Sequence, residues 1–337
     1  MIGVDLGTTH VRVHVKGRGV VLREPAVIAM SQETGDVMAI GEEAARMLGR
    51  TPGSITAVRP MQDGVIADYT LTEKMLKGFV GKVLTGPSRF LRPTIMVCVP
   101  SEITDVERRA VLQAVHEIGA RKALLIEEPV AAAIGAGIDI AAPVGAMVID
   151  MGGGTTDVAI LSLGGVVRSS SVRVAGNAFD ADIAGFVKEK YELLIGDRTA
   201  ERIKREIGAA MLDPDATPAT LEVRGRGLVD GMPKTATVTS TDVVEAIEGS
   251  LEKIAEVLRN VLETAEPELV SDVIDRGIVL TGGAAQLRFV DRYLSAVTGI
   301  PVGLAQDPED CVVVGTSRAL DMADVLADAR RRGTEFH

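Results

Sequence analysis

Residues 145–160 read GAMVIDMGGGTTDVAI, and the chain opens on a shorter form of the same motif, GVDLGTT, at residues 3–9. In both stretches an apolar strand leads to an aspartate, an apolar residue, glycine and a pair of threonines. The two aspartates are Asp5 and Asp150, 145 positions apart (150 − 5). A second apolar strand follows each turn. This repeat predicts two similar α/β halves, each beginning with a glycine-rich hairpin.

The glycine turns are suited to phosphate. Glycine leaves backbone N–H groups open to a ligand, and threonine hydroxyls alongside add further donors. The candidate phosphate ligands are Gly7, Thr8 and Thr9 in the first turn and Gly152, Gly153, Gly154, Thr155 and Thr156 in the second. A single turn of this kind is more often an ordinary hairpin, but the duplication favours two facing turns that clamp a phosphate chain.

Asp5 and Asp150 occupy matching positions ahead of the two turns. Mg2+ prefers one or two carboxylates together with water and phosphate oxygens. The two aspartates are therefore predicted to hold a hydrated Mg2+ beside the phosphates, with water between carboxylate and metal.

A third glycine turn, from Thr281 to Ala285, follows an apolar strand and precedes a helix that we expect to begin at Gln286. Such a turn allows the backbone to approach a nucleotide, although an ordinary strand-to-helix loop has the same pattern. The sequence contains no Gly-x-x-x-x-Gly-Lys-Ser/Thr motif, which excludes a P-loop as the source of phosphate binding.

The composition limits the classes of partner. The 337 residues include 36 Lys plus Arg against 47 Asp plus Glu, a formal net charge of −11. A chain this acidic, without a run of five basic residues, is not expected to bind nucleic acid. The first residues lack the pattern of a signal peptide, no apolar run is long enough to span a bilayer, and the two cysteines form no metal-binding pattern. We therefore expect a cytoplasmic protein.

Four motifs together resemble the nucleotide-binding signature of actin, sugar kinases and DnaK-type chaperones. They are residues 4–9, residues 126–133 with Glu127-Glu128-Pro129, residues 149–157 and residues 280–283. Further segments closely resemble the MreB family, the bacterial actins that determine rod shape. These segments read VKGRGVVLREP at 15–25, RPMQDGVIAD at 59–68, RTAERIK at 198–204 and DRGIVLTG at 275–282.

The resemblance implies an α/β, actin-like ATPase fold. Such a fold has two ribonuclease H-like halves, each with a small inserted subdomain, and a nucleotide cleft between them. The implied subdomains are IA at residues 1–28, 70–137 and 310–337, IB at 29–69, IIA at 138–175 and 245–309, and IIB at 176–244. The resemblance also implies slow ATP hydrolysis with Mg2+ and homopolymeric filaments on the inner face of the cytoplasmic membrane. Proteins of cell-wall synthesis and cell shape are the implied partners.

The family motifs also imply roles for single residues. Glu128 falls where the family orients the attacking water, with Thr155 beside it. Glu201 and Lys204 fall where the family contacts the ribose. The positions under the adenosine are Gly282, Gly283, Ala284 and Ala285. Without the family, an acidic residue before a helix-opening proline is equally expected from the helix dipole.

Phe90 and Leu91 are the implied membrane contact. They lie between Arg89 and Arg92, at about the place where MreB proteins insert a hydrophobic loop into the lipid interface. As a bare sequence feature, two apolar loop residues more often pack inward.

Some positions depart from the family pattern. Thr9-His10 replaces a usual Ala-Asn, and Ala284 replaces a usual glycine, so we expect altered nucleotide affinity. The alternative functions within the superfamily are a small-molecule kinase and a chaperone-type ATPase, neither of which polymerises. A kinase needs a catalytic aspartate and a substrate pocket between the halves, and a chaperone needs a peptide-binding domain after the nucleotide domain.

Overall fold

The computed structural model describes residues 1–62, 65–84, 92–101 and 103–322. Phe90 and Leu91 lie outside the described residues. The strands are β1 Ile2–Leu6, β2 His10–Val15, β3 Gly19–Pro25, β4 Ile28–Ser31, β5 Val37–Ile40, β6 Ile55–Val58, β7 Met61–Gln62, β8 Val65–Ile66, β9 Thr94–Val99, β10 Lys122–Glu127, β11 Ala146–Met151, β12 Thr156–Ser162, β13 Gly165–Val172, β14 Leu193–Leu194, β15 Thr220–Gly227, β16 Pro233–Thr239, β17 Ile278–Thr281 and β18 Val302–Leu304.

The helices connect these strands or cover the sheets. They are α1 Glu42–Met47, α2 Tyr69–Val83, α3 Asp105–Glu117, α4 Glu128–Gly135, α5 Gly176–Tyr191, α6 Asp197–Ile207, α7 Ser240–Thr264, α8 Pro267–Arg276, α9 Val290–Thr298 and α10 Cys311–Ala319. Within the described ranges, two short 3₁₀ helices lie at Ala284–Gln286 and Pro308–Asp310.

Two five-stranded sheets share one topology. Sheet I has the order β3-β2-β1-β9-β10, and sheet II has the order β13-β12-β11-β17-β18. Each consists of a three-stranded antiparallel meander followed by two parallel strands. We call each sheet with its surrounding elements lobe I and lobe II. The repeat in the sequence is thus a repeat of whole sheets, and the prediction of two similar α/β halves is confirmed.

Each lobe carries a small additional sheet. In lobe I it has the order β5-β4-β6 and packs against the buried Ala44 and Ala45 of α1. In lobe II it has the order β14-β15-β16 and shares a core with α5 and α6. Both sheets come from segments inserted between elements of the main lobes. The subdomain boundaries given above stay a prediction.

Helices α4 and α10 pack together with side chains from both main sheets. They approach closely at two glycines. A Cβ at Gly135 would overlap the carbonyl group of Cys311, and a Cβ at Gly315 would overlap the carbonyl group of Ala131. Only glycine permits this distance between the helix backbones.

Two helices differ from the sequence expectation. The helix expected from Gln286 begins only at Val290, because a 3₁₀ turn follows the third glycine turn and Phe289 has a left-handed φ of 64°. Helix α8 was not predicted. It begins with Pro267, a residue suited to the first helical position.

In the described part of the chain, no helix is long and apolar enough to cross a membrane. The same residues contain no group of three or more His, Cys, Asp or Glu side chains that could hold a metal ion.

Candidate nucleotide site

The two phosphate turns follow the equivalent strands β1 and β11, and their carbonyl groups are bound within their own lobes. In lobe II, the N–H of Gly176 donates to Gly152 O at 3.3 Å, and the N–H of Asn177 donates to Gly153 O at 2.8 Å. In lobe I, the N–H of Ala26 donates to Thr9 O at 2.9 Å. Carbonyl oxygens bound in this way are held away from an anion, as a phosphate-binding turn requires.

The two turns meet each other at Thr9 and Gly153. A Cβ at position 153 would overlap the side chain of Thr9, so this approach requires glycine. The Oγ1 atom of Thr9 is buried and has no hydrogen-bond partner among the described residues. A buried hydroxyl without a partner is costly, and a phosphate oxygen would satisfy it. This part of the site therefore fits a nucleotide phosphate chain.

The metal candidates Asp5 and Asp150 are buried, at 5 % and 7 % exposure. Burial raises the pKa of each carboxyl from 3.8 to about 6. Arg12 partly opposes the rise in the pKa of Asp5. A hydrogen bond of 2.7 Å from Thr281 Oγ1 to Asp150 Oδ1 partly opposes the rise in the pKa of Asp150. A divalent cation stabilises the ionised form of such carboxylates, so this pair fits Mg2+ held through water.

Glu128 lies at the first position of α4 and is half-buried. Burial raises the pKa of its carboxyl well above 4.5, and the charges of Asp157, Asp150 and Asp5 raise it further. The fold therefore brings the catalytic candidate together with the carboxylates of both lobes. The carbonyl oxygen of Thr155, the last residue before β12, accepts a hydrogen bond of 2.9 Å from the N–H of Gly152. Thr156, the other threonine of the motif, is fully buried at the start of β12, and its hydroxyl donates to Val174 O at 2.7 Å.

The third glycine turn packs against β11, the strand that precedes the second phosphate turn. Gly282 has a φ of 91°, a left-handed conformation that glycine adopts without strain. A Cβ at this position would overlap the backbone of Met151. Ala284 and Ala285, the predicted adenosine contacts, are buried in the 3₁₀ turn that follows, while Gly283 is exposed.

Three parts of the predicted site converge on Gly176, the first residue of α5. A Cβ there would lie 3.4 Å from Lys204 Nζ, 3.5 Å from Gly152 O and 3.7 Å from Ala284 Cβ. Lys204 Nζ donates to Gly176 O at 2.7 Å and pairs with Asp180 at 2.8 Å. The ribose candidate, the second phosphate turn and the adenosine turn are therefore adjacent.

Helix α6 also contacts lobe I. Arg198 Nη2 donates to Ala45 O at 3.0 Å. Burial lowers the pKa of Arg59, and the charge of the exposed Glu201 partly opposes this shift. Arg59 Nη1 in turn donates to Thr9 O at 3.4 Å in the first phosphate turn. Helix α6, which carries the predicted ribose contacts, therefore contacts both lobes.

Sequence reasoning assigned no role to Arg12, Arg59 or Thr281. Arg12 lies opposite Asp5 in the register of β1 and β2, and the two side chains form an ion pair at 3.6 Å. The alternation of apolar residues along β2 could have placed Arg12 on the same sheet face as Asp5. Arg59 and Thr281 stand in motifs quoted above, but their partners are distant in sequence.

Comparison with known proteins identifies the family. The pattern of the family described as MreB/Mbl protein matches residues 1–328. The chain belongs to the MreB/Mbl family. Two MreB/Mbl relatives are the cell shape-determining protein Mbl of Bacillus subtilis (strain 168) and the cell shape-determining protein MreB of Escherichia coli (strain K12). The first is 49 % identical over 325 residues (96 % of this chain, 97 % of the relative), and the second is 49 % identical over 330 residues (96 % and 94 %).

A solved MreB structure has the same fold. MreB 5 of Spiroplasma citri bound to AMPPNP has a TM-score of 0.89 and 36 % sequence identity, with 96 % of each chain covered. The resemblance to MreB and the actin-like α/β fold are therefore both confirmed.

Proposed function

We propose that this chain is an actin-like cytoskeletal ATPase that determines rod cell shape. In this proposal it binds ATP and Mg2+ between its lobes, hydrolyses ATP slowly, and assembles into filaments that organise cell-wall synthesis. The observation that carries the proposal is the meeting of two equivalent phosphate turns at Thr9 and Gly153. The relatives named for determining cell shape support this function over a kinase or a chaperone of the same superfamily.

The proposed binding roles follow the layout of the site. The backbone N–H groups of both turns and the hydroxyl of Thr9 bind the phosphates. Glu201 and Lys204 hold the ribose, and the turn from Gly282 to Ala285 supports the adenosine. The MreB 5 structure bound to AMPPNP supports nucleotide binding in this fold.

Hydrolysis depends on charge and on the position of one water molecule. Bound Mg2+, held by Asp5 and Asp150 through water, would neutralise charge on the phosphate oxygens. Glu128 is proposed to orient the attacking water and to accept its proton, and Thr155 is proposed to hold the same water. The raised pKa of Glu128 comes from burial and three neighbouring aspartates, so a cation nearby would favour its ionised form.

Self-assembly and membrane attachment are proposed from membership of the family. Phe90 and Leu91 would enter the lipid interface, and Arg89 and Arg92 would meet anionic headgroups. A filament presents many copies of a weak lipid contact, so attachment and assembly would reinforce each other. The protein would then be peripheral on the inner face of the cytoplasmic membrane.

Electron microscopy on an anionic lipid layer tests the proposal. We expect filaments on the lipid with ATP and Mg2+ and none in the control without nucleotide. If the lipid stays bare while the chain still binds ATP in solution, the proposal of filament assembly is wrong. That result would favour the alternative of a small-molecule kinase with a phosphate-accepting substrate. Failure of the chain to bind ATP would overturn the nucleotide site itself.

A further inference from the structure

A row of charged side chains crosses one face of sheet I. In the strand register, Asp5 of β1 lies opposite Arg12 of β2, and Arg12 lies opposite Arg23 of β3. Residues opposite each other in a sheet project on the same face. The row therefore runs from the metal candidate Asp5 to Arg23 on the outer strand.

Arg12 is shared among three carboxylates. Its guanidinium lies 3.6 Å from Asp5, 3.2 Å from Glu309 and 3.7 Å from Asp310. The side chain of Arg12 is only 14 % exposed, against 53 % for Arg23, which pairs with Asp310. A planar guanidinium with five donors can contact several carboxylates at once.

Glu309 and Asp310 belong to the connection between the lobes. Residues 305–310 lead from β18, the edge strand of sheet II, to α10, which packs between the two sheets. On the side of lobe II, this connection is bound to the third glycine turn. Gln286 Nε2 donates to Glu309 Oε1 at 2.5 Å, and the N–H of Gly282 donates to Pro308 O at 2.9 Å.

These contacts form a continuous path from Asp5 through Arg12 and Glu309 to Gln286. We propose that Arg12 is a positioning residue that couples the metal-proximal carboxylate to the adenosine-side turn, so that Mg2+ tightens nucleotide binding. This inference rests on the proposed nucleotide function.

The physical basis is competition for one positive charge. Without a cation at Asp5, that carboxylate competes with Glu309 and Asp310 for the guanidinium of Arg12. A cation beside Asp5 neutralises the charge of that carboxylate. Arg12 is then attracted less by Asp5 and is held more strongly by Glu309. Glu309 also fixes Gln286, and the adenosine-side turn is thereby held in place. By linkage, a bound nucleotide would favour the cation to the same extent.

The test measures ADP affinity by calorimetry with excess Mg2+ and with EDTA. We call the dissociation constant in EDTA divided by the dissociation constant in Mg2+ the magnesium factor. We expect Arg12→Gln and Glu309→Gln each to lower this factor by about fivefold or more, the lower end of typical coupling between sites. In EDTA, Arg12→Gln should bind ADP as the wild type does. Glu309→Gln also changes the partner of Gln286, so it should lose some ADP affinity in EDTA, but less than it loses with Mg2+. The matched control, Arg23→Gln, removes a cation from the same row whose ion pair is with Asp310 rather than with Asp5 or Glu309, and it should keep the wild-type factor.

Hydrogen exchange provides a second readout. Mg2+ with ADP should slow exchange at the amide of Gly282 in the wild type and in Arg23→Gln, and less so in Arg12→Gln. A magnesium factor unchanged in both Arg12→Gln and Glu309→Gln would overturn the inference. An equal loss of affinity with Mg2+ and with EDTA would also overturn it, because that is the result of a merely structural ion pair. A wild-type chain that binds no ADP would instead overturn the proposed function.

Discussion

Glu128, in the first turn of α4, experiences the charges of carboxylates from both lobes. Glu128→Gln keeps the size of the side chain but removes its ability to accept a proton. We expect ATP to bind as in the wild type and phosphate release to fall by roughly 10²-fold, the lower range for loss of a general base. ATP titration and a phosphate-release assay measure the two effects. Undiminished turnover would remove Glu128 from catalysis.

Thr9 has a hydroxyl that the protein itself leaves without a partner in the described residues. Thr9→Ala should therefore leave the thermal unfolding temperature close to that of the wild type. If the hydroxyl binds phosphate, ATP affinity should fall by about fivefold, the equivalent of one hydrogen bond of about 1 kcal/mol. Calorimetry with ATP checks the affinity, and wild-type binding by Thr9→Ala would contradict a role for this hydroxyl.

At the scale of elements, the crossing of α4 and α10 depends on glycine. A Cβ at Gly315 would overlap the carbonyl group of Ala131 in the facing helix. We expect Gly315→Ala to lower the free energy of unfolding by about 1–3 kcal/mol, as overpacking in a core does. Gly249→Ala is the matched control, because Gly249 lies in α7 with no atom close to its added Cβ.

The control should change stability in the opposite direction. Alanine in a helix is favoured over glycine by roughly 0.5–1 kcal/mol, so Gly249→Ala should stabilise the chain. Urea denaturation of both variants gives the comparison. Equal stability of Gly315→Ala and the wild type would mean that α4 and α10 separate without cost.

The start of α7 depends on the buried carboxylate of Asp242. It accepts hydrogen bonds from Lys190 and Tyr191 at 2.6 Å and from the N–H of Thr239 at 2.7 Å. Burial alone would raise the pKa of Asp242, but these hydrogen bonds outweigh burial and lower it below 3.8. Asp242→Asn should cost about 1.5–3 kcal/mol at neutral pH, the value of hydrogen bonds to a charged group.

Because the pKa of Asp242 is lowered in the folded chain, the stability lost in Asp242→Asn should depend on pH. The contribution of ionised Asp242 is complete above the unfolded pKa of about 3.8 and is lost as pH falls through the lowered folded value. The difference in unfolding free energy between the wild type and Asp242→Asn should therefore shrink in acid. Glu256→Gln, an exposed carboxylate on the same helix, is the control and should change stability little at any pH. A constant difference across pH would contradict the role of the charge.

At the scale of the whole molecule, the membrane prediction rests on sequence and family. Replacing both Phe90 and Leu91 by Ser should preserve the circular dichroism spectrum and release filaments from lipid. Each apolar side chain contributes about 1.5–3 kcal/mol when it leaves water, and the loss is repeated along a filament. Pelleting with anionic liposomes in ATP and Mg2+ measures the attachment.

A second double variant controls for surface hydrophobicity. Leu163 and Val167 are exposed at 63 % and 49 % on the hairpin of β12 and β13. Replacing both by Ser removes two apolar side chains from another surface and should leave liposome pelleting unchanged. Undiminished pelleting by the Phe90 and Leu91 variant would count against that loop as the lipid contact.

The sequence by itself determined the two-lobed fold, the positions of the three glycine turns and the membership of the family. These features are indicated by glycine residues, by the spacing of apolar residues and by short motifs. All three can be recognised from residues that are neighbours in the sequence. The late start of α9 at Val290 escaped sequence reasoning, because nothing local marks Phe289 as left-handed. Only the tertiary structure decided that Thr9 meets Gly153, that burial raises the pKa values of Asp5 and Asp150, and that Arg12 reaches Glu309 across 297 positions. Such contacts depend on how the two sheets pack around α4 and α10. No pattern within a short stretch of the sequence specifies that packing.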